Sequence, residues 1–301
     1  MNIATHRFRG FDSNENTSTG FANALSESVK YFEFDVRITV DRIPVVNHDH
    51  STETQFKSIV NIPKSKYQEI KSIKYKHSTS PGIMTLDECL DIFMTGKKEE
   101  SKIFIDIKDF GEEEKIYQML SNRSLLNQSV IVSWLPEVLF SFHRIDPRIP
   151  LCFSHNFIQN PLKYFAQKFI YGNKPVRSLF GLLLNLFNRK LSTILLNTQF
   201  YFDDYNGLEK GEKIKSTISP DSEHTLSGPV TGRLLEIILE SKGFVCINYK
   251  DIPENYKQLY QYSPGLIPYS INSKSEIEKF LKKIKPDYIL SDVPALVSKF
   301  E

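Results

Sequence analysis

The stretch Tyr31-Phe32-Glu33-Phe34-Asp35-Val36-Arg37-Ile38 decides how the chain is read. Its aromatic and β-branched residues mark a strand. Glu33 and Asp35 stand two apart and share one face, with Phe34 pointing into the opposite layer. The run otherwise looks buried, and ionised carboxylates in such a strand require partners.

Outward from that strand, short runs rich in Ile, Val, Phe and Tyr alternate with longer segments of helical period, the pattern of parallel βα units. Eight runs read as strands: residues 2–6, 31–38, 103–107, 130–133, 149–153, 244–248, 266–271 and 287–290. Phe21, Ala24, Leu25 and Val29 form one apolar helix face. Leu86, Leu90, Ile92 and Phe93 form another, with Thr85 as its cap. Ile277, Phe280, Leu281 and Ile284 form a third, capped by Ser273 or Ser275. Eight βα repeats predict an α/β chain folded as a (β/α)8 TIM barrel. The alternative, a doubly wound open sheet, lacks its glycine-rich phosphate turn, since Gly10 stands alone after the first strand.

Two interruptions break the regularity. Residues 43–47 read as an extended return that makes a hairpin around Asp41-Arg42. Residues 155–242, between the fifth and sixth strands, far exceed a normal βα connection. The expectation is one domain over 1–301 with 155–242 as an insertion at the carboxyl face, where barrels build their sites.

With 38 basic and 36 acidic side chains the formal charge is +2, which gives no basis for nucleic-acid binding. Cys89, Cys152 and Cys246 have neither zinc spacing nor a disulfide framework and read as buried thiols of a reducing compartment. The amino terminus carries no long apolar run before a cleavage site, and no stretch is a clean membrane span, so a soluble cytoplasmic protein is expected.

Polar residues collect at the carboxyl ends of the expected strands: His6-Arg7, Glu33 and Asp35, Asn47-His48-Asp49, and Asp106 with Lys108. In a barrel these ends share one rim. Three carboxylates, Glu33, Asp35 and Asp106, without cysteine or ligand-spaced histidine, suit a hard divalent cation, Mg²⁺ or Ca²⁺, rather than Zn²⁺. Arg7 and Lys108 would offset anionic charge. His6 and His48 on either side of a phosphodiester would divide base and acid roles. Taken singly, each residue also fits a solvated strand edge or a satisfied core histidine, and His50, His77, His143, His155 and His224 stay in that category.

These residues resemble the glycerophosphodiester phosphodiesterases, metal-dependent (β/α)8 barrels. The likeness rests on His6-Arg7, Glu15-Asn16-Thr17, the run from Glu33-Phe34-Asp35-Val36 to Thr39-Val40-Asp41, and Val45-Val46-Asn47-His48-Asp49. It continues in Thr85-Leu86-Asp87-Glu88-Cys89-Leu90, Ile105-Asp106-Ile107-Lys108, Tyr269-Ser270-Ile271-Asn272 and Ser291-Asp292-Val293-Pro294. The resemblance implies His6 and His48 as the acid–base pair and Glu33, Asp35 and Asp106 as metal ligands. It implies Arg7 and Lys108 on the phosphate, Tyr269 lining the substrate pocket, and Glu15 and Asn16 supporting or completing the metal site. The implied substrates are glycerophosphodiesters, phospholipid-derived or part of a glycerol-phosphate polymer, cleaved through a cyclic phosphate when the glycerol hydroxyl attacks first. A sphingomyelinase D-like lyase and a catalytically silent barrel that binds phosphoglycerol or lipid headgroups are the alternatives.

Three positions depart from the family pattern. Phe8 stands where the family has glycine, which is expected to deny the backbone a positive φ and to make the phosphate-side wall bulkier. Asp106 replaces glutamate and Tyr269 replaces tryptophan. Separately, residues 161–196 hold six basic residues, no acidic one and many leucines and phenylalanines. That composition fits either a lid or a peripheral contact with an anionic membrane.

Overall fold

Eight of the apolar runs pair side by side as parallel strands. The computed structural model describes residues 1–27, 29–157, 225–226, 230, 232–259, 262–293 and 296. Its strands are β1 (Ile3–His6), β2 (Tyr31–Ile38), β3 (Pro44–Val46), β4 (Lys102–Ile107), β5 (Ser129–Ser133), β6 (Leu151–Ser154), β7 (Asn156–Phe157), β8 (Thr225–Leu226), β9 (Phe244–Asn248), β10 (Gly265–Tyr269) and β11 (Ile289–Ser291). The main sheet runs β10-β9-β6-β5-β4-β2-β1-β11, all parallel, and β3 returns antiparallel along β2. β7 and β8 form a separate two-residue pair.

The two ends of that order meet. Asp287 N donates to Leu266 O at 3.0 Å, its side chain accepts from Leu266 N at 2.8 Å, and Ile271 N donates to Leu290 O at 3.0 Å. The sheet is therefore a nearly closed barrel, as expected. All eight predicted strands are present, each within one or two residues of its expected bounds.

Alternation along each strand sorts side chains into two cores. Ala4, Phe104, Val130, Val132, Cys152, Cys246, Ile267 and Leu290 point inward and fill the barrel below its rim. Ile3, Phe32, Phe34, Ile103, Ile105, Ile131, Leu151, Phe153, Val245 and Ile289 point outward into a larger core beneath the helices. Burying such side chains contributes about 1.5–3 kcal/mol each relative to exposure, which offsets the chain entropy lost on ordering.

The helices are α1 (Ser18–Ser26), α2 (Tyr67–Ile70), α3 (Leu86–Gly96), α4 (Glu113–Asn122), α5 (Pro136–Ile145), α6 (Gly232–Glu240) and α7 (Lys274–Leu281). Thr85 caps α3 in a capping box: its hydroxyl accepts from Glu88 N at 3.1 Å, and Glu88 accepts from Thr85 N at 2.7 Å. Ser273, not Ser275, caps α7, and Thr17 caps α1. Two apolar faces are shorter than expected. Val29 and Ile284 are buried beyond the ends of α1 and α7, and Leu281 is exposed.

Between β3 and α3, residues 47–85 build a small lobe on its own core of Val45, Phe56, Ile62, Ile70, Tyr75 and Ile83. Phe56 stacks on Tyr75 with ring centroids 4.1 Å apart. His48 stands near the start of this lobe. Of the expected insertion 155–242, residues 158–224, 227–229 and 231, including the basic apolar segment 161–196, lie outside the described residues. No helix among the described residues is long and apolar enough to cross a membrane. All three cysteines are free and buried.

Just past β6, His155 is buried and stacks on Phe153, ring centroids 5.1 Å apart and 15° from parallel. Burial holds its imidazole neutral, down from 6.5 to about 4. In that window the unfolded chain binds a proton that the folded chain refuses. His155 therefore costs stability increasingly as pH falls from 6.5 to about 4, by roughly 3 kcal/mol in all. Urea unfolding of the protein and of His155→Phe at pH 7 and pH 4.5 checks this: the variant should lose less stability on acidification.

Candidate active site

Strand register assembles the site. β1 and β2 pair with His6 opposite Glu33, and β2 and β4 pair with Asp35 opposite Asp106. Adjacent strands lie about 4.8 Å apart, so four inward-facing polar side chains from three strands are forced together. Lys108 follows Asp106 by two residues on the same face. The turn after β3 brings in His48, because Asn47 N donates to Asp35 O at 3.1 Å. His6, Arg7, Glu33, His48, Asp106 and Lys108 thus line one open cavity of about 510 Å³. Its floor is the inner apolar core, Phe104, Val132, Cys152, Cys246, Ile267 and Leu290, and Tyr269 and Ser154 complete the wall.

Glu33, Asp35 and Asp106 are all buried, and each offers a carboxylate oxygen within 4.8 Å of the other two. Cations hold this group. Lys108 Nζ lies 2.5 Å from Asp106 Oδ2 and 3.1 Å from Asp35 Oδ1. Arg7 Nε lies 3.2 Å from Asp35 Oδ2, and Asn16 Nδ2 donates to the same oxygen at 2.9 Å. Burial would raise Asp35, but Arg7 and Lys108 outweigh it and hold its carboxyl well below the usual range. Burial and the Asp35 charge push Glu33 well above its usual range. Burial would also lower Lys108, but Asp106 and Asp35 outweigh it and keep the ammonium charged.

Two features fit a cation here. Three oxygen donors without sulfur are the donor set of a hard divalent ion. Asp106 Oδ1 is buried without a hydrogen-bond partner, an acceptor left open beside two other carboxylates. Glu15 stands apart from that group: Arg9 Nε donates to it at 2.7 Å and Arg7 Nη1 at 3.4 Å.

Each histidine of the cavity leans on a carboxylate through Nδ1. His6 Nδ1 is 2.6 Å from Asp292 Oδ1 and 3.1 Å from Ser270 Oγ, while its Nε2 lies 3.9 Å from Glu33 Oε2. Burial and the neighbouring Arg7 lower the His6 imidazole, against the pull of Asp292. His48 Nδ1 is 2.7 Å from Asp49 Oδ1, and Thr54 Oγ1 donates to Asp49 Oδ2 at 2.6 Å. The bond to His48 brings Asp49 down to about 2. Arg37, also inward on β2, donates from Nε to His48 O at 2.8 Å and from Nη1 to Asp109 Oδ1 at 3.0 Å, which fixes the His48 turn to the end of β4.

Sequence reading assigned no role to Asp292, Arg9, Arg37 or Asp109. The first had a usable signal, since it stands two residues past the last expected strand and so falls at the same rim. The others contact residues distant in sequence, and no spacing rule announces such pairs.

Contrary to expectation, replacing glycine by Phe8 does not remove the positive φ. Arg7 and Phe8 both adopt positive φ, 58° and 57°, as does Asn16 at 56°. A side chain in this region costs roughly 1–2 kcal/mol. The Phe8 ring is fully buried in the outer core, stacked on Phe21 with centroids 4.2 Å apart and close to Phe34 at 5.7 Å. Its burial offsets the backbone cost. The ring faces away from the cavity and adds no bulk to the phosphate-side wall. The turn instead delivers Arg7 N to Glu33 Oε2 at 3.1 Å and Arg7 O to Asn16 N at 2.8 Å.

Comparison with known proteins points to one family. Human glycerophosphodiester phosphodiesterase 1 is 24% identical over 171 residues, 52% of this chain and 49% of that protein. The bovine protein of the same name is 23% identical over the same shares. The chain thus spans about half the length of the curated relatives it matches. Among solved structures, a glycerophosphodiester phosphodiesterase from Parabacteroides distasonis superposes with a TM-score of 0.62 at 14% identity, covering 99% of this chain and 95% of that one. A phosphodiesterase from Oleispira antarctica, solved with the product sn-glycerol-3-phosphate, gives the same TM-score, identity and coverage. At that identity the likeness is one of fold. The family model described as the glycerophosphoryl diester phosphodiesterase family matches residues 4–155, half of the chain, and takes in β1 to β6 with both cavity histidines and all three carboxylates. The chain belongs to the glycerophosphoryl diester phosphodiesterase family.

Proposed function

We propose that the protein is a metal-dependent phosphodiesterase that cleaves glycerophosphodiesters, with His6 and His48 as its acid–base pair. The observation that carries this reading is a single cavity lined by both imidazoles and bordered by a buried three-carboxylate group. Glu33, Asp35 and Asp106 would hold the divalent cation, Mg²⁺ or Ca²⁺, which supplies Lewis-acid stabilisation of charge on the phosphate oxygens.

The chain's own residues do the rest. Arg7 and Lys108 face the cavity as fixed cations that bind and orient the phosphodiester anion. Since Nδ1 of each histidine is occupied by a carboxylate, Nε2 is the atom left for the substrate. One Nε2 takes the proton of the attacking hydroxyl, and the other returns a proton to the leaving alkoxide as the P–O bond breaks. When the attacker is the neighbouring glycerol hydroxyl, the first product is a cyclic phosphate, which water opens with the proton roles reversed. Tyr269 lines the wall where the alcohol group would rest, and Asn16 supports Asp35 through its 2.9 Å bond.

The three free, buried cysteines fit a cytoplasmic location. The composition of 161–196 supports peripheral contact with an anionic membrane, which would bring lipid-linked substrates to the cavity. Flotation with anionic vesicles at low salt tests that contact. Co-flotation is expected, and protein that stays unbound would remove the membrane from the account.

Turnover of glycerophosphocholine and of bis(4-nitrophenyl) phosphate with Mg²⁺ or Ca²⁺ tests the activity. His6→Ala or His48→Ala should lower kcat by roughly a hundred- to ten-thousandfold, and chelator should abolish turnover. Headgroup binding without turnover, unaffected by either substitution, would make the protein a silent binder instead. Independently of activity, a divalent ion at a hundred times its Kd should stabilise the fold by about 2.7 kcal/mol. The accompanying rise in Tm should shrink in Asp106→Asn.

A further inference from the structure

The first and last strands of the barrel lie side by side, with Thr5 in register with Ser291. The next residues along the chain are therefore also neighbours: His6, which ends β1, and Asp292, the first residue past β11. Their contact, 2.6 Å between Nδ1 and Oδ1, is set by the ladder itself across 286 residues of sequence.

Two further side chains hold Asp292. Asn272 Nδ2 donates to Asp292 Oδ2 at 2.8 Å, and Asn272 Oδ1 accepts from Asp292 N at 2.8 Å, so one side chain grips both its carboxylate and its backbone. Arg9 Nη1 donates to Asp292 Oδ1 at 2.8 Å, while the same guanidinium bonds Glu15 at 2.7 Å. Both donors favour the ionised carboxylate, and an ionised carboxylate only accepts. At 2.6 Å, then, the proton between Asp292 and His6 sits on Nδ1.

We propose that Asp292, braced by Asn272 and Arg9, is the positioning residue of His6. It holds the ring in its Nδ1–H form with Nε2 directed toward Glu33 and the cavity. Ser270 Oγ, 3.1 Å from the same nitrogen, is the weaker second contact. Without the carboxylate the ring is free to rotate about χ2 and to exchange tautomers, and Nε2 loses its fixed place opposite the phosphate. Arg9 ties this clamp to Glu15 and, through it, to the Arg7 turn, so segments following the first and last barrel strands are anchored at one imidazole.

The consequence for turnover rests on the phosphodiesterase reading, whereas the tautomer does not, and the test uses both. Two-bond ¹⁵N–¹H correlation spectra of the full chain report which imidazole nitrogen carries the proton. In the unmodified protein His6 is expected as Nδ1–H, with Nε2 bare when the ring is neutral. Asp292→Ala should convert His6 to a mixture or to Nε2–H. Its kcat should fall roughly a hundredfold with KM changed by less than about twofold. Should Asp292→Ala fail to fold, Asn272→Ala replaces it, with a partial shift of the same kind expected. An Nε2–H His6 in the unmodified protein overturns the proposal, as does a variant that keeps both tautomer and kcat. If the protein cleaves no phosphodiester while the tautomer shifts as described, the clamp stands and the functional reading fails.

Discussion

Burying three carboxylates in the mouth of one barrel is the constraint from which the rest of the structure follows. Removing an ionised carboxylate from water costs several kcal/mol even after relaxation. Glu33, Asp35 and Asp106 must therefore be compensated within the barrel. Lys108 and Arg7 do so directly, and Asn16 adds a neutral donor. The compensation is incomplete: Asp106 Oδ1 has no hydrogen-bond partner, and Glu33 is pushed toward its protonated form. A site left short of positive charge in this way is suited to receive a cation and a phosphate together.

The same constraint explains local irregularities. The left-handed turn at Arg7 and Phe8 would be unfavourable in a bare loop. Here it aims the Arg7 guanidinium inward at Asp35 and sends the Phe8 ring outward into the aromatic cluster with Phe21 and Phe34. Arg37 secures the His48 turn to β4, and Asp292 secures His6 to the last strand. Each imidazole is held by groups outside the cavity, which leaves the cavity-facing atoms available. The inner apolar core beneath them supplies a dry floor, where charge–charge interactions are stronger than in water.

Much of this was legible in the sequence. Apolar runs of strand length alternating with helical period located all eight barrel strands, because period and burial are local properties. That Glu33 and Asp35 share one face followed from the two-residue repeat, as it did for Asp106 and Lys108. Other features were not legible because they arise from register between distant strands or from tertiary packing. The juxtaposition of His6 with Asp292 depends on how the barrel closes. The positive φ of Phe8 depends on a buried partner ring that no propensity describes. The early ends of α1 and α7 leave Val29 and Ile284 buried outside their helices, where apolar periodicity alone extends each helix too far.

The proposed chemistry requires Glu33, Asp35 and Asp106 to share one divalent ion. Anomalous diffraction from crystals of the protein grown with Mn²⁺, a scatterer that accepts the same oxygen ligands, measures this directly. The account predicts one strong anomalous peak within bonding distance of a carboxylate oxygen from each of the three residues, beside the imidazoles of His6 and His48. Well-ordered carboxylates at saturating Mn²⁺ with no peak between them, and Lys108 still paired with Asp35 and Asp106, would contradict it.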